Sequence, residues 1–336
     1  MPRSTLRMLV LALGALLSVH AANAEEDCGR VLPDLACERS GRFDGFEMPI
    51  VQPYLFEDPF ITTGVYPYYI WHQFPDSSPL EGGEAHLVAA QLRVAVTDRL
   101  AIIATKDGYM WKDPGNPLLK ETQGFMNLGF GAKYAVYQNR DAGRILSLAL
   151  KYEAASGAAD TLQDGGDGML MPSVTGAAKL GGVALQGDVG GSWAIDDAQS
   201  TSIYYHLYAA YPIVGTRGTF SPFLQFSGIH WVDSGDGSRK IELSAAGQQA
   251  VGGQYIPVGT PSIPLSVVGI YGPIEGADVA NLGAGGVDGL DYVTVALGAH
   301  VRFLEHVTVS AAYEVPITNH ESITRQRITT AMAWEF

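Results

Sequence analysis

After its first two dozen residues the chain has no apolar run of about 18 residues or more, which excludes an α-helical membrane protein. Cysteine is nearly absent: Cys28 and Cys37 are the only two, with no further thiol or histidine cluster beside them to suggest zinc. Positive charge is scarce as well. Lys and Arg number 21 against 35 Asp and Glu, for a formal charge of −14, and a nucleic-acid partner would need a basic surface instead. Missing too are a GxSxG nucleophile elbow, an HExxH zinc motif and a P-loop, so no cofactor and no metal are expected. Gly283–Gly289 (GAGGVDG) is Gly-rich but lacks a preceding strand and following helix, which removes a nucleotide reading.

Met1–Ala24 has the form of a cleaved secretory signal peptide. Arg3 and Arg7 supply the charge, Met8–Val19 the apolar stretch and Ala22-Asn23-Ala24 the small-residue cleavage site. Export to an oxidising compartment then makes a small disulfide loop the simplest use of Cys28 and Cys37.

Beyond residue 60 the chain breaks into segments in which apolar and small or polar side chains alternate, the period-two signature of strands with two different faces. In Met126–Tyr137, Met126, Leu128, Phe130, Ala132, Tyr134 and Val136 share one face, while Asn127, Gly129, Gly131, Lys133 and Ala135 share the other. Twelve strands are predicted, at about 60–73, 85–97, 99–109, 124–137, 144–156, 169–180, 182–195, 202–214, 218–231, 290–303, 306–317 and 323–336. In Leu100–Tyr109 either parity is tolerable. Fourteen strands result if Gln254–Val258 and Ile263–Tyr271 form a further pair.

Every connection from an even to an odd strand is the shorter kind, and a transmembrane barrel has this asymmetry of short periplasmic turns and long outer loops. The predicted fold is therefore all-β: an antiparallel up-and-down outer-membrane barrel, preceded by a segment over 25–59 that is either periplasmic or a plug. Tyr69, Trp71, Tyr152, Trp193, Tyr313 and Trp334 fall near strand ends, where aromatic girdles sit.

By parity the lumen receives Arg93, Lys133, Lys151, Glu153, Lys179, Asp188, His206, Gln225, His300, Arg302, Glu314, Arg327 and Glu335. Many Ala, Gly, Ser and Thr lie between them, leaving room in a barrel wider than the eight-strand kind. Two readings stand: a narrow pore whose slightly basic wall favours anions or polar solutes, or a lumen closed by cross-strand charge pairs with the 25–59 segment inside. Outside, Asp160–Gly168 (DTLQDGGDG) and Asp233–Gly237 (DSGDG) fail the EF-hand spacing and read as solvated loops. The segment 232–290 exceeds ordinary loop length, so it is functional or locally structured.

The signal peptide, the alternating strands and the closing RITTAMAWEF (Arg327–Phe336) together resemble the bacterial outer-membrane β-barrel class. Trp334 and Phe336 resemble the terminal signal read by the barrel-assembly machinery. VTDRLAIIA (Val96–Ala104), FEDPF (Phe56–Phe60) ahead of the first strand and LEHVTVSAAYEV (Leu304–Val315) are similar to transporters grouped with phenol-degradation meta-pathway and fatty-acid-channel barrels. That resemblance implies a passive channel for small, including hydrophobic, molecules. The expected partners are outer-membrane lipid and lipopolysaccharide, the assembly machinery and a small solute. The alternatives are a closed structural or adhesive barrel working through its outer loops, and a lipid-modifying enzyme with His206 or His300 as base and Ser192 or Ser310 as nucleophile, a triad being defined by geometry.

Overall fold

The computed structural model describes residues 41–250, 262–264, 275–276, 278, 281–304, 306–318 and 324–336. The expected signal peptide and the Cys28–Cys37 pair lie outside the described residues.

Twelve antiparallel strands close into a barrel. They are β1 (Gly64–Gln73), β2 (Gly83–Ala95), β3 (Leu100–Lys106 and Tyr109–Pro114), β4 (Thr122–Phe125 and Leu128–Asn139), β5 (Arg144–Ala154) and β6 (Met169–Leu180). The circuit continues with β7 (Val183–Ala194), β8 (Thr201–Ala210, extended by Ile213–Gly215), β9 (Gly218–Asp233), β10 (Asp291–Leu304), β11 (Val307–Pro316) and β12 (Gln326–Glu335). Each strand pairs with the next, and β12 returns to β1 in a register running from Gly64↔Glu335 to Gln73↔Gln326. Closure leaves no edge, the condition for a sheet in lipid, which cannot hydrogen-bond a bare backbone.

Side-chain alternation decides which face meets lipid. Leu128, Phe130, Leu148, Val189, Leu207, Leu297 and Val309 are exposed on the outside, while Lys133, Lys151, Gln225, His300 and Arg327 are buried on the inside. Tyr69, Trp193, Tyr313 and Trp334 are also exposed on the outer wall. The Tyr69 hydroxyl meets His86 Nδ1 at 2.8 Å and Trp71 Nε1 donates to Glu84 at 2.6 Å, polar tips on apolar bodies as an interfacial position requires.

Strict alternation fails in β3 and β4. Met126 was expected outside but is buried inside together with Asn127, between the outward-facing Phe125 and Leu128. The facing strand breaks at the same height, at Asp107-Gly108, and Met126 N donates to Gly108 O at 2.9 Å. Gly108 has φ +113°, and a Cβ there would lie 2.5 Å from Val88 O, so only glycine permits this paired bulge. The parity left open in β3 resolves with Ala101 and Ile103 inside and Ile102 outside.

The fourteen-strand alternative is not adopted. Ser262–Pro264 pairs with Lys240–Glu242 in a separate two-stranded sheet, apart from the wall; the remainder of that candidate pair lies outside the described residues. The first strand starts at Gly64 instead of residue 60, because residues 41–63 follow a different course, inside the barrel.

Candidate functional site

Residues 41–63 form a strap that enters the lumen at the short-turn end, rises to Tyr54 and comes back. Arg42 anchors its start, with Nη2 2.7 Å from Glu335 and 3.0 Å from Asp58. Further in, Arg302 Nη2 meets Glu47 at 2.9 Å, Gln186 donates to Glu47 O at 2.7 Å and Gln225 donates to Val51 O at 2.9 Å. At the return, Ala95 N donates to Thr63 Oγ1 at 3.0 Å and Phe336 N to Thr63 O at 2.9 Å, tying the strap to β2 and β12, the two neighbours of β1.

The FEDPF motif lies in the middle of the lumen. Lys133 Nζ lies 2.8 Å from Glu57 Oε1 and 3.2 Å from Asp58 Oδ1, while Arg93 pairs with Asp58 and sits 3.4 Å from Glu57. All four side chains are essentially inaccessible. The wall that read as basic from the barrel strands alone is therefore neutralised by three carboxylates of the strap, Glu47, Glu57 and Asp58.

The remaining lumen candidates also have partners. Lys151 donates to the Tyr54 carbonyl; Glu153 accepts from Lys106 at 2.6 Å, from Asn127 at 2.6 Å and from the Tyr54 hydroxyl. Asp188 meets His206 Nδ1 at 2.6 Å, and the other ring nitrogen faces Gln52 Oε1 at 3.2 Å, with Phe56 stacked on the ring at 4.8 Å. Lys179, at the short-turn end, donates to Asp44 O at 3.0 Å and is only half-buried. Of the Ser and His side chains considered for catalysis, His300 Nδ1 lies 2.7 Å from Ser310 Oγ, but its Nε2 meets Tyr208 instead of a carboxylate. Ser192 is directed at Met169 Sδ.

The small residues of the lumen are filled from the strap. Met48, Ile50, Val51 and Phe56 pack in one cluster with Ala296, Ala312, Ala331 and Ala333 of β10 to β12. The space predicted between the polar groups thus holds apolar strap side chains, because alanines opposite large residues allow close packing.

Around Arg327 the pairing is looser. Its Nη1 is 3.4 Å from Glu314 Oε2 and 3.8 Å from Asp278 Oδ2. Arg327 Nε, Glu314 Oε2, Asp278 Oδ2, Tyr292 OH and Thr324 Oγ1 are buried without a hydrogen bond. Asp278 belongs to the outer segment, yet its Oδ1 accepts from Tyr54 N at 2.9 Å and Leu55 N at 3.0 Å. The strap rising from one end and the outer segment descending from the other therefore meet at one carboxylate.

Sequence reasoning missed the strap residues Glu47, Gln52, Tyr54, Glu57 and Asp58, as well as Lys106, Lys112, Arg239 and Asp278. The one available signal was the acid pair of FEDPF, placed between aromatic residues where a solvated loop would not bury it. At the outer mouth, burial pushes the Glu275 carboxyl above its ordinary range, opposed by donors from Ser200, Gly276, Leu282 and Ala284. Burial lowers the Arg239 guanidinium from its ordinary value, opposed by Asp164, Glu275 and Glu153.

No protein-family model and no curated protein sequence matches the chain. Among solved structures it is similar to an outer membrane channel from Pseudomonas putida F1, at 14% identity and TM-score 0.50 over 84% of this chain and 98% of that one. It is also similar to the NanC porin, at 7% identity and TM-score 0.43 over 82% and 98%. LpxR from Salmonella typhimurium follows at 7% and 0.41, over 81% and 100%. Identities this low speak for the fold alone. That fold, the apolar outer wall and the aromatic residues on it make the chain a closed twelve-strand β-barrel of the bacterial outer membrane.

Proposed function

We propose that the barrel is a passive channel for small solutes, with conduction limited by the strap. The observation that carries this reading is how the lumen is filled. Next to the alanine wall, the strap side chains Met48, Ile50, Val51 and Phe56 pack beside the barrel's own Tyr66, Tyr68, Tyr208 and Phe223, and the strap is held by ion pairs and hydrogen bonds to the barrel. A twelve-strand wall without that strap is wide enough for water and solutes, so displacement of residues 41–63 would open a path. Its walls would be Arg93, Lys133 and Lys151 on one side and Arg302, Glu314 and Arg327 on the other, a set with excess positive charge once Glu47, Glu57 and Asp58 leave.

Planar-bilayer recording and liposome swelling with purified protein test this. The wild type should show low or intermittent conductance, and Glu57→Gln with Asp58→Asn should raise it and shift the reversal potential toward anions. A folded sample of both proteins that passes neither ions nor solute would overturn the channel reading.

A second reading, a barrel working through its outer loops, draws support from the inward packing of the outer segment. Ile241, Leu243, Leu282 and Ala284 close over Ile70, Leu87, Met110 and Met126. It requires that deleting 234–290 abolish surface binding while the barrel still folds.

A further inference from the structure

We propose that Arg239, with Lys112 and Thr122, forms an oxyanion site just inside the outer mouth, taking the carboxylate or phosphate group of a small solute. The inference rests on the channel reading and names the chemistry of what enters.

Arg239 is 8% exposed. Its Nη1 donates to Asn281 O at 2.6 Å, whereas Nε and Nη2 are buried with no hydrogen-bond partner. Those two nitrogens form the edge of the guanidinium that matches the two oxygens of a carboxylate or phosphate. A buried charged donor left unpaired is expensive, so the edge needs an acceptor.

The neighbours shape the space in front of it. Gly165 of the DTLQDGGDG loop lies over the face of the guanidinium and leaves its edge clear; a Cβ there would be 2.6 Å from Nε and 2.8 Å from Cζ. Any other residue at 165 would press on the fork. Lys112 projects inward from β3 and is also 8% exposed; its Nζ reaches only Asp160 O, at 3.4 Å. Thr122 is its cross-strand partner on β4, and the Thr122 hydroxyl is buried and unpartnered. Both approach the 3-10 turn Ala159–Thr161, Lys112 through its contact with Asp160 O and Arg239 through the adjoining Lys240–Glu242 segment that packs on the turn. Two buried like charges repel, and neither makes an ion pair within 4.0 Å among the described residues.

The nearby carboxylates are engaged by other donors or exposed to solvent. Glu242 is held by Lys120 at 2.6 Å, Glu153 by Lys106 at 2.6 Å and Glu275 by its four donors, while Asp164 and Asp160 are exposed. An incoming anion would satisfy the fork, the ammonium and the hydroxyl together, and it would cancel the repulsion. The site lies on the inner side of the β3–β4 wall, against the short 3-10 turn Ala159–Thr161 that packs on β4. Its ligand therefore comes from solute in the mouth and not from lipid outside the wall.

Isothermal titration of the purified full-length protein with sodium benzoate, and separately with inorganic phosphate, tests the site. At least one probe should bind with one-to-one stoichiometry, and the probe that binds identifies the group. Arg239→Gln should weaken binding by about tenfold or more, Lys112→Gln severalfold, and Arg239→Lys should fall between wild type and Arg239→Gln because charge survives without the fork. Heat-modifiable gel mobility reports folding; should Arg239→Gln fail it, Arg239→Lys and Lys112→Gln carry the test. Failure of both probes to bind the wild type, or unchanged affinity in folded variants, overturns the site. Binding without any liposome flux keeps the site and removes the channel; flux without binding does the reverse.

Discussion

Lys133 shows how one residue was readable in direction but not in partner. Alternation along β4 places its side chain inside, since Ala132 and Tyr134 on either side face outward with the apolar set, and it is fully buried. Its partners Glu57 and Asp58 precede it by some 75 residues, and no local pattern links the two. Removing one member of such a buried set leaves an uncompensated charge at a cost of roughly 3–5 kcal/mol. Lys133→Met is therefore expected to loosen the strap before it affects the wall. Limited proteolysis of folded protein should cut within 41–63 several times faster than in wild type. Adding Glu57→Gln should give less than the sum of the two single effects, because the residues share one network. Additive effects would mean that the pair is not coupled.

At the level of elements, the closing strand and the paired bulge behave differently. β12 alternates without a break: Ile328, Met332 and Trp334 are exposed outside, and Arg327, Thr329, Ala331 and Ala333 are buried inside. Its register with β1 starts at the last hydrogen-bonded residues, and Phe336 N still donates to Thr63 O at 2.9 Å. Deleting Phe336 removes that bond and the ring 5.1 Å from Trp334. Less assembled barrel is expected, measured as the heat-modifiable fraction in outer membranes; normal assembly would count against a role for the terminal aromatic. In β4 the alternation misled, because a bulge moves Met126 to the inner face and its trigger, Gly108, sits on another strand. Gly129 is a related case. A Cβ there would lie 2.8 Å from Lys106 Cβ and 3.2 Å from the Tyr54 ring, so Gly129→Val is expected to displace the tip of the strap while β4 still pairs. Slower chymotryptic cleavage within 41–63 in that variant would argue the opposite.

For the whole molecule, the sequence by itself determined the wall. Period-two alternation, turn parity and the aromatic residues of the last strand are local properties, and lipid enforces them because the outward face must be predominantly apolar and every backbone group paired. Twelve strands, their order and the inward set from Arg93 to Arg327 follow from that constraint alone. What fills the wall was decided only in three dimensions. Parity states that Arg93 and Lys133 face inward, but water or a carboxylate would satisfy them equally, and whether Glu57 arrives depends on a segment that obeys no period. The same holds at the mouth, where Arg239 and Gly165 are far apart in the chain and meet because the outer loops converge. Lipid dictates an outer face residue by residue; a lumen is settled by whichever groups of the same chain best neutralise one another once the barrel has closed.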